Sequence, residues 1–297
     1  MIKRVVEISR GGARLSVRNE QLMVESGEAE GCAQIPCEDV GLLLVDNRAV
    51  TYTHAVFTTL LRHGAGVVLC GEDHQPAGML LPLAGNSVQT ERMRIQLGAK
   101  APVKKQLWRQ VVQAKIRHQA AVLGREHGLY EPLRAMARGV RSGDAGNVEA
   151  QASKRYWGAY LGQLNFRRRI DGGPPNNLLN YGYTVVRAAA ARALTGAGLL
   201  CSVGIHHCNK YNAFCLADDM VEPFRGYVER KAREIWEKDG VGEELDQGAK
   251  AAMLEVLYER AAIGGQGGPL MVGLHRTAAS LVRCLAGEAK ELELPEA

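Results

Sequence analysis

The spacing of apolar residues changes character near residue 85, and that change constrains the fold more than any other feature. Before it, apolar residues come in short runs bounded by turn residues, at 5–9, 13–17, 21–25, 40–45, 66–70 and 79–83. The runs VGLLLV and GVVLC read as fully buried strands, with a helix over 53–63, ended by Gly64, between them. After it, apolar residues recur at helical spacing. Trp108, Val112, Ile116, Ala120 and Leu123 form a stripe along a helix predicted over 103–123. Further helices are predicted over 129–140, 148–163, from Asn176 or Asn177 to 194, 213–237, 243–262 and 274–290, with Pro223 expected to kink or restart the fourth of these. The turn 144–147 can cap the helix at 148, and 264–269 (GGQGGP) reads as a flexible connector. The expected fold class is therefore α+β: a small N-terminal β domain over 1–85, then a larger all-α domain over 86–297.

Charge follows the same division. The formal net charge is only +5, yet residues 92–169 carry 17 Lys and Arg against 4 Asp and Glu. The flanking sectors, 1–85 and 170–297, are mildly acidic. A basic sector inside a nearly neutral chain points to a polyanion, most often nucleic acid, as against a solvated helical surface without a partner. Lys104, Lys105, Arg109, Arg167, Arg168, Arg169 and Arg225 are the candidate DNA contacts. Aromatic residues are 5% of the chain, so base stacking is expected to be minor, and Tyr156, Trp157 and Tyr160 are expected to pack the core.

Several classes are excluded by what is missing. There is no GxxxxGK[ST], no GxGxxG after a strand and no GxSxG elbow. No apolar leader or roughly 18-residue uncharged apolar run is visible, and the seven Cys lack CxxC spacing. A cytoplasmic protein with reduced thiols is expected, with Cys201, Cys208 and Cys215 as buried core thiols.

The densest polar cluster is His206-His207 with Asp218, Asp219 and Glu222. On a helix, Asp218 and Asp219 lie four and three residues before Glu222, so all three share a face and repel one another unless a cation sits among them. Oxygen ligands plus an imidazole suit Mg²⁺ or Mn²⁺, although an exposed acidic face has the same spacing. Glu149, in the first turn after Asn147, reads either as a second acid of such a site or as a helix-dipole partner.

The motifs taken together resemble the CRISPR-associated integrase, the Cas-one family of the spacer-acquisition module, in its type II branch. The carriers are Lys115-Ile-Arg-His-Gln-Ala120, Asn147-Val-Glu-Ala150, Asn176-Asn-Leu-Leu-Asn-Tyr-Gly-Tyr183, Gly204-Ile-His-His207 and the run from Asn212 to Arg225 containing ADDMVEPFR. The sequence departs from the family at Gly226-Tyr-Val-Glu229, where Pro and then Val-Asp are usual, and at His118, where an Asn often stands.

The resemblance implies a divalent-metal site of Glu149, His207 and Glu222 as both ligands and catalytic residues, holding Mg²⁺ or Mn²⁺. His206 is the fallback imidazole, and Asp219 and Asp218 are additional acids. It implies attack of a DNA 3′-hydroxyl on repeat phosphodiesters, so that new spacers enter the CRISPR array. It implies a homodimer joined through the β domains, double-stranded DNA as prespacer and repeat, a Cas-two partner, and the type II effector nuclease and other acquisition factors as further partners. Replacing any one of the three ligands by Ala is expected to abolish metal-dependent strand transfer and leave the fold intact. Two other readings compete: a metal-dependent nuclease for branched DNA without integration, and a basic nucleic-acid-binding adaptor with a structural acid cluster.

Overall fold

The computed structural model describes residues 3–9, 11–26, 32–72, 76–162 and 166–297. It divides into two compact units, Met1–Ser87 and Val88–Ala297. The first is rich in strands, the second mostly helical.

The first unit contains β1 (Arg4–Ile8), β2 (Ala13–Arg18), β3 (Gln21–Ser26), β4 (Cys32–Pro36), β5 (Val40–Val45), β6 (Thr51–Tyr52), α1 (His54–Arg62), β7 (Gly66–Cys70) and β8 (Pro76–Leu80). One sheet has the order β1-β5-β7-β8, with β1, β5 and β7 parallel and β8 antiparallel. β5 is central, which is why VGLLLV is buried throughout. The helix α1 supplies the crossover that a parallel β5–β7 pair requires. The second sheet has the order β4-β3-β2-β6. Its β2–β3 hairpin turns on Asn19 and Glu20, both at positive φ (51° and 58°), the geometry of a two-residue loop that matches strand twist. Glu20 is an unusual residue there, and its carboxylate is held by Arg62 at 2.7 Å and His63 at 2.8 Å.

The second unit contains α2 (Gln89–Gly98), α3 (Ala101–Leu123), α4 (Tyr130–Arg138), α5 (Val148–Ala159), α6 (Asn176–Gly196), α7 (Cys215–Val221), α8 (Arg225–Asp239), α9 (Gln247–Leu254), β9 (Arg260–Ile263), β10 (Gln266–Pro269) and α10 (Leu270–Ala286). Its core is built around two long helices. α3 packs on α4, α5 and α8, and the Ala-rich α6 packs on α7, α8, α9 and α10. The α3 stripe behaves as its spacing predicts: Trp108, Val112, Ile116 and Ala120 are all buried. Tyr156 and Tyr160 of the α5 region are fully buried as well. No helix among the described residues is long and apolar enough to cross a membrane.

Several expected boundaries shift. The strand expected over 79–83 is β8, and Leu83 lies beyond it, almost fully exposed. The helix expected over 148–163 ends at Ala159, and Gln163 lies outside the described residues. The helix expected over 213–237 is broken, as Pro223 requires: α7 stops at Val221, Glu222–Phe224 form a single 3-10 turn, and α8 starts at Arg225. The helix expected over 243–262 gives way to β9, and the 264–269 connector is the turn and second strand of a β9–β10 hairpin. Gly264 and Gly265 both sit at positive φ (58° and 73°), so this glycine pair is turn chemistry rather than slack.

The C-terminal segment closes over this hairpin and over α3. Pro295 bridges to Ile263, and its carbonyl accepts a bond from His118 Nε2 at 3.2 Å. Burial pushes the His118 imidazole down to about 4. An unfolded chain takes up this proton near pH 6.5 and the folded chain only near 4. The stability that neutral His118 contributes is therefore complete above 6.5 and is lost as the pH falls towards 4, by at most about 1.4 kcal/mol per pH unit. Urea unfolding between pH 4 and 7 should show this slope, and His118→Phe should flatten it; an unchanged slope would remove His118 as its source.

Candidate metal centre

Two carboxylates from separate elements meet on one buried ammonium. Glu149 sits in the first turn of α5, and Glu222 opens the 3-10 turn after α7. Lys115 Nζ, from the middle of α3, lies 2.5 Å from Glu149 Oε1 and 2.6 Å from Glu222 Oε2. The other oxygen of Glu222, Oε1, takes Arg225 Nη2 at 2.9 Å. Arg225 in turn lies over the Tyr183 ring, 4.6 Å from its centroid. Glu222 is 3% exposed and Lys115 8%, so these charges are tolerable only as a mutually neutralising group. Burial works against the Glu222 carboxylate, but Arg225 and Lys115 outweigh it and hold its pKa below the usual range. Burial likewise works against Lys115, and Glu222 and Glu149 outweigh it, so its pKa is raised.

Glu149 is set in place by its helix start. Asn147 precedes the helix at positive φ and makes no side-chain cap. The cap is Asp144, whose two oxygens accept the backbone N–H groups of Val148 at 2.8 Å and Glu149 at 3.0 Å.

His207 is set in place by Asp219. This carboxylate is fully buried and accepts the N–H groups of Ile205, His206 and His207 at 2.7, 3.1 and 3.1 Å. It also accepts His207 Nδ1 at 2.7 Å. A carboxylate can only accept, so Nδ1 carries the hydrogen and Nε2 is the lone-pair nitrogen, the arrangement of an oriented imidazole ligand. That Asp219 bond is also the main cause of the raised His207 pKa. His206 is used differently: its ring stacks on Trp108 at 4.0 Å with planes 1° apart, while His207 meets the same indole edge-on at 5.7 Å. Gly204 has a steric reason to be Gly, because a Cβ there would lie 2.3 Å from the His207 carbonyl oxygen and 2.7 Å from Asp219 Oδ2.

The other candidates are placed as follows. Asp218 accepts Asn212 Nδ2 at 2.6 Å and lies 3.8 Å from Arg187. Arg168 gives its guanidinium to Asn176 and Asn180 and lies over Tyr183, so its bonds go to the protein. Arg169 pairs with Asp171 at the surface, and Lys105 and Arg167 are exposed. Lys104 and Arg109 are half-buried on α3. Cys215 is buried, Cys201 is half-buried and Cys208 is exposed; the seven-residue spacing does not keep Cys208 in the core, because it falls in the loop after His207 rather than on a helix. Glu229 is buried and accepts the Tyr183 hydroxyl at 2.8 Å, and burial raises its pKa.

Spacing arguments did not single out Lys115 or the orienting role of Asp219. A signal for Lys115 was present: it falls seven residues after Trp108, on the apolar face of α3, where a charge needs a partner. Asp219 had no such signal, since its partners are backbone groups twelve to fourteen residues earlier.

Among the described residues, no group of three or more His, Cys, Asp and Glu side chains is set to hold a metal ion. The donor set nevertheless fits a divalent ion in kind: two carboxylates already share one cation, and a nearby imidazole has its ligating nitrogen fixed.

Known proteins match this chain in sequence and in fold. The family model described as "CRISPR associated protein Cas1" matches residues 6–255. The CRISPR-associated endonuclease Cas1 of Neisseria meningitidis is 34% identical over 291 residues, covering 97% of this chain and 94% of that protein. Among solved structures, a casposase bound to its integration product superposes with a TM-score of 0.81 at 17% identity, over 98% of this chain and 92% of that one. A Cas1 protein from Thermotoga maritima superposes with a TM-score of 0.74 at 16% identity, over 99% and 100%. A strand-rich unit followed by a helical unit, together with the Neisseria relative, places the chain in the class of CRISPR-associated endonucleases. Within that class, the chain belongs to the Cas1 family.

Proposed function

We propose that the protein is the integrase of CRISPR adaptation, joining DNA fragments into the repeat array by divalent-metal-dependent transesterification. The observation that carries this is the meeting of Glu149 and Glu222 on one cation beside the oriented His207. Glu149, Glu222 and His207 Nε2 would hold Mg²⁺ or Mn²⁺. Such an ion, when bound, polarises a phosphodiester oxygen and activates the attacking hydroxyl.

The chain's own residues do the rest. Asp219 keeps His207 in one tautomer, and the Trp108–His206 stack fixes the loop from the other side. Exposed Lys and Arg of the basic sector, Lys105 and Arg167 among them, neutralise backbone phosphates without reading sequence, which suits fragments of arbitrary origin. In the joining step a DNA 3′-hydroxyl forms a new phosphodiester, the displaced repeat 3′-oxygen takes up a proton, and no nucleotide hydrolysis is needed.

The reading extends to assembly. One chain of a solved Cas6-RT-Cas1–Cas2 complex superposes with a TM-score of 0.77 at 17% identity, over 98% of this chain and 36% of that one. A Cas2 partner, a homodimer joined through the strand-rich units, and in a type II system the effector nuclease, are part of the proposal. The test is an integration assay with a processed fragment and a repeat duplex, with and without Cas2. Joined product is expected in Mn²⁺ and none in EDTA. Cleavage without joining under all conditions would favour a branched-DNA nuclease, and DNA binding indifferent to EDTA with no product would favour an adaptor.

A further inference from the structure

Lys115 is the least expected member of the site. An ammonium fixed between Glu149 and Glu222 does the electrostatic work usually left to a bound ion: it lets two carboxylates share a buried position. It is also in the wrong place for a second cation. A divalent ion taking Glu222 Oε2 would meet the charge of Lys115, since Oε1 is already committed to Arg225. The two cations therefore exclude each other from the same oxygen.

The exit is short. Glu149 has 23% of its side chain exposed and His207 40%, against 4% for Glu222, so the group opens to the surface on the Glu149 and His207 side. The flexible four-carbon stem of a lysine can rotate, but an ammonium leaving two carboxylates needs another anion. A DNA phosphate at the mouth supplies one.

We propose that Lys115 is a resident counter-cation that competes with the divalent ion for Glu149 and Glu222, and that a DNA phosphate draws it off, coupling metal loading to substrate binding. This rests on the metal reading above. In the absence of DNA the site is held closed and electrically balanced by the chain itself. With DNA bound, the ammonium moves to phosphate and the carboxylates become ligands. By linkage, the metal must then tighten DNA binding as much as DNA tightens metal binding.

The test is Mn²⁺ binding to the full chain, read by electron paramagnetic resonance of free Mn²⁺, with and without a short duplex bearing a free 3′-hydroxyl. Wild type should bind Mn²⁺ weakly alone and on the order of tenfold more tightly with the duplex, within the usual range for coupled sites. Lys115→Met should bind Mn²⁺ tightly without DNA, lose most of the duplex effect, and gain more thermal stability from Mn²⁺ than wild type does. Lys115→Arg keeps the charge and the fold, and should bind Mn²⁺ no better than wild type; if Lys115→Met does not fold in Mn²⁺, the weak binding and duplex effect of wild type against Lys115→Arg decide. Equal Mn²⁺ affinity in all three proteins, with no effect of the duplex, would overturn this proposal and leave the metal reading standing. No Mn²⁺ binding by any of them, with or without DNA, would overturn both.

Discussion

Replacing Glu222 by Ala is expected to abolish strand transfer, by about 10³-fold or more, and to destabilise the helical unit by about 3–5 kcal/mol. The activity loss follows from removing a proposed ligand. The stability loss follows from the ion group: Ala leaves the buried Lys115 ammonium with Glu149 alone and the half-buried Arg225 guanidinium without its carboxylate. Sequence alone suggests that such a variant keeps its fold, and the burial of Glu222 between two cations changes that expectation. The two effects separate in the double variant Lys115→Met with Glu222→Leu. Removing a cation with its anion recovers a large part of the lost stability, since a well-packed apolar pair can replace a buried ion pair at little cost. Activity stays at zero. Thermal unfolding and the integration assay on both proteins check this; an active Glu222→Ala would remove Glu222 from the ligand set, and an unshifted melting temperature would remove the ion group as a source of stability.

Asp219→Ala should be nearly as damaging although Asp219 is not a proposed ligand in this geometry. Its carboxylate satisfies three backbone N–H groups and the His207 ring, so Ala orphans several donors at once, on the order of 3 kcal/mol in total. The loop then loses the one group that gives His207 its tautomer and direction, and strand transfer should fall about as far as it does in His207→Ala. Gly204→Ala should reproduce the effect from the other side, because its Cβ cannot fit between the His207 carbonyl and Asp219. Amide hydrogen exchange at Ile205, His206 and His207 separates orientation from ligation. It should speed up sharply in Asp219→Ala and Gly204→Ala and stay slow in His207→Ala; slow exchange in Asp219→Ala would mean that the acid acts on the metal rather than on the loop.

The parts of the fold that were legible are those where burial and periodicity coincide. VGLLLV and GVVLC are strands because both faces are covered, and α3 is a helix because its apolar stripe is continuous. α2 escaped because QTERMRIQLG has no stripe and buries only Gln96, through bonds to the Leu200 and Val203 carbonyls. β4 escaped because CAQIP is an edge strand with its first three residues exposed. RAAI of β9 is too short and too Ala-rich to tell strand from helix, so the hairpin was settled by its partner strand and the C-terminal segment. At the site, Glu149, His207 and Glu222 were legible only as motif positions, since spacing alone also allowed a dipole partner and an acidic surface. What no local pattern could give is the pairing across α3, α5 and the 3-10 turn that turns Lys115, Glu149, Glu222 and Arg225 into one group.

That group also shapes how the protein can vary over time. An ammonium, a guanidinium and two carboxylates in mutual contact cancel, and any single exchange breaks the cancellation before it can offer a new function. Divergence at this spot must therefore proceed by paired changes, or by a change elsewhere that first supplies spare stability. Lineages drawn from this chain should vary freely at Arg169 or Lys105 on the surface and remain frozen at Lys115 and Arg225, whether or not those two residues ever touch DNA.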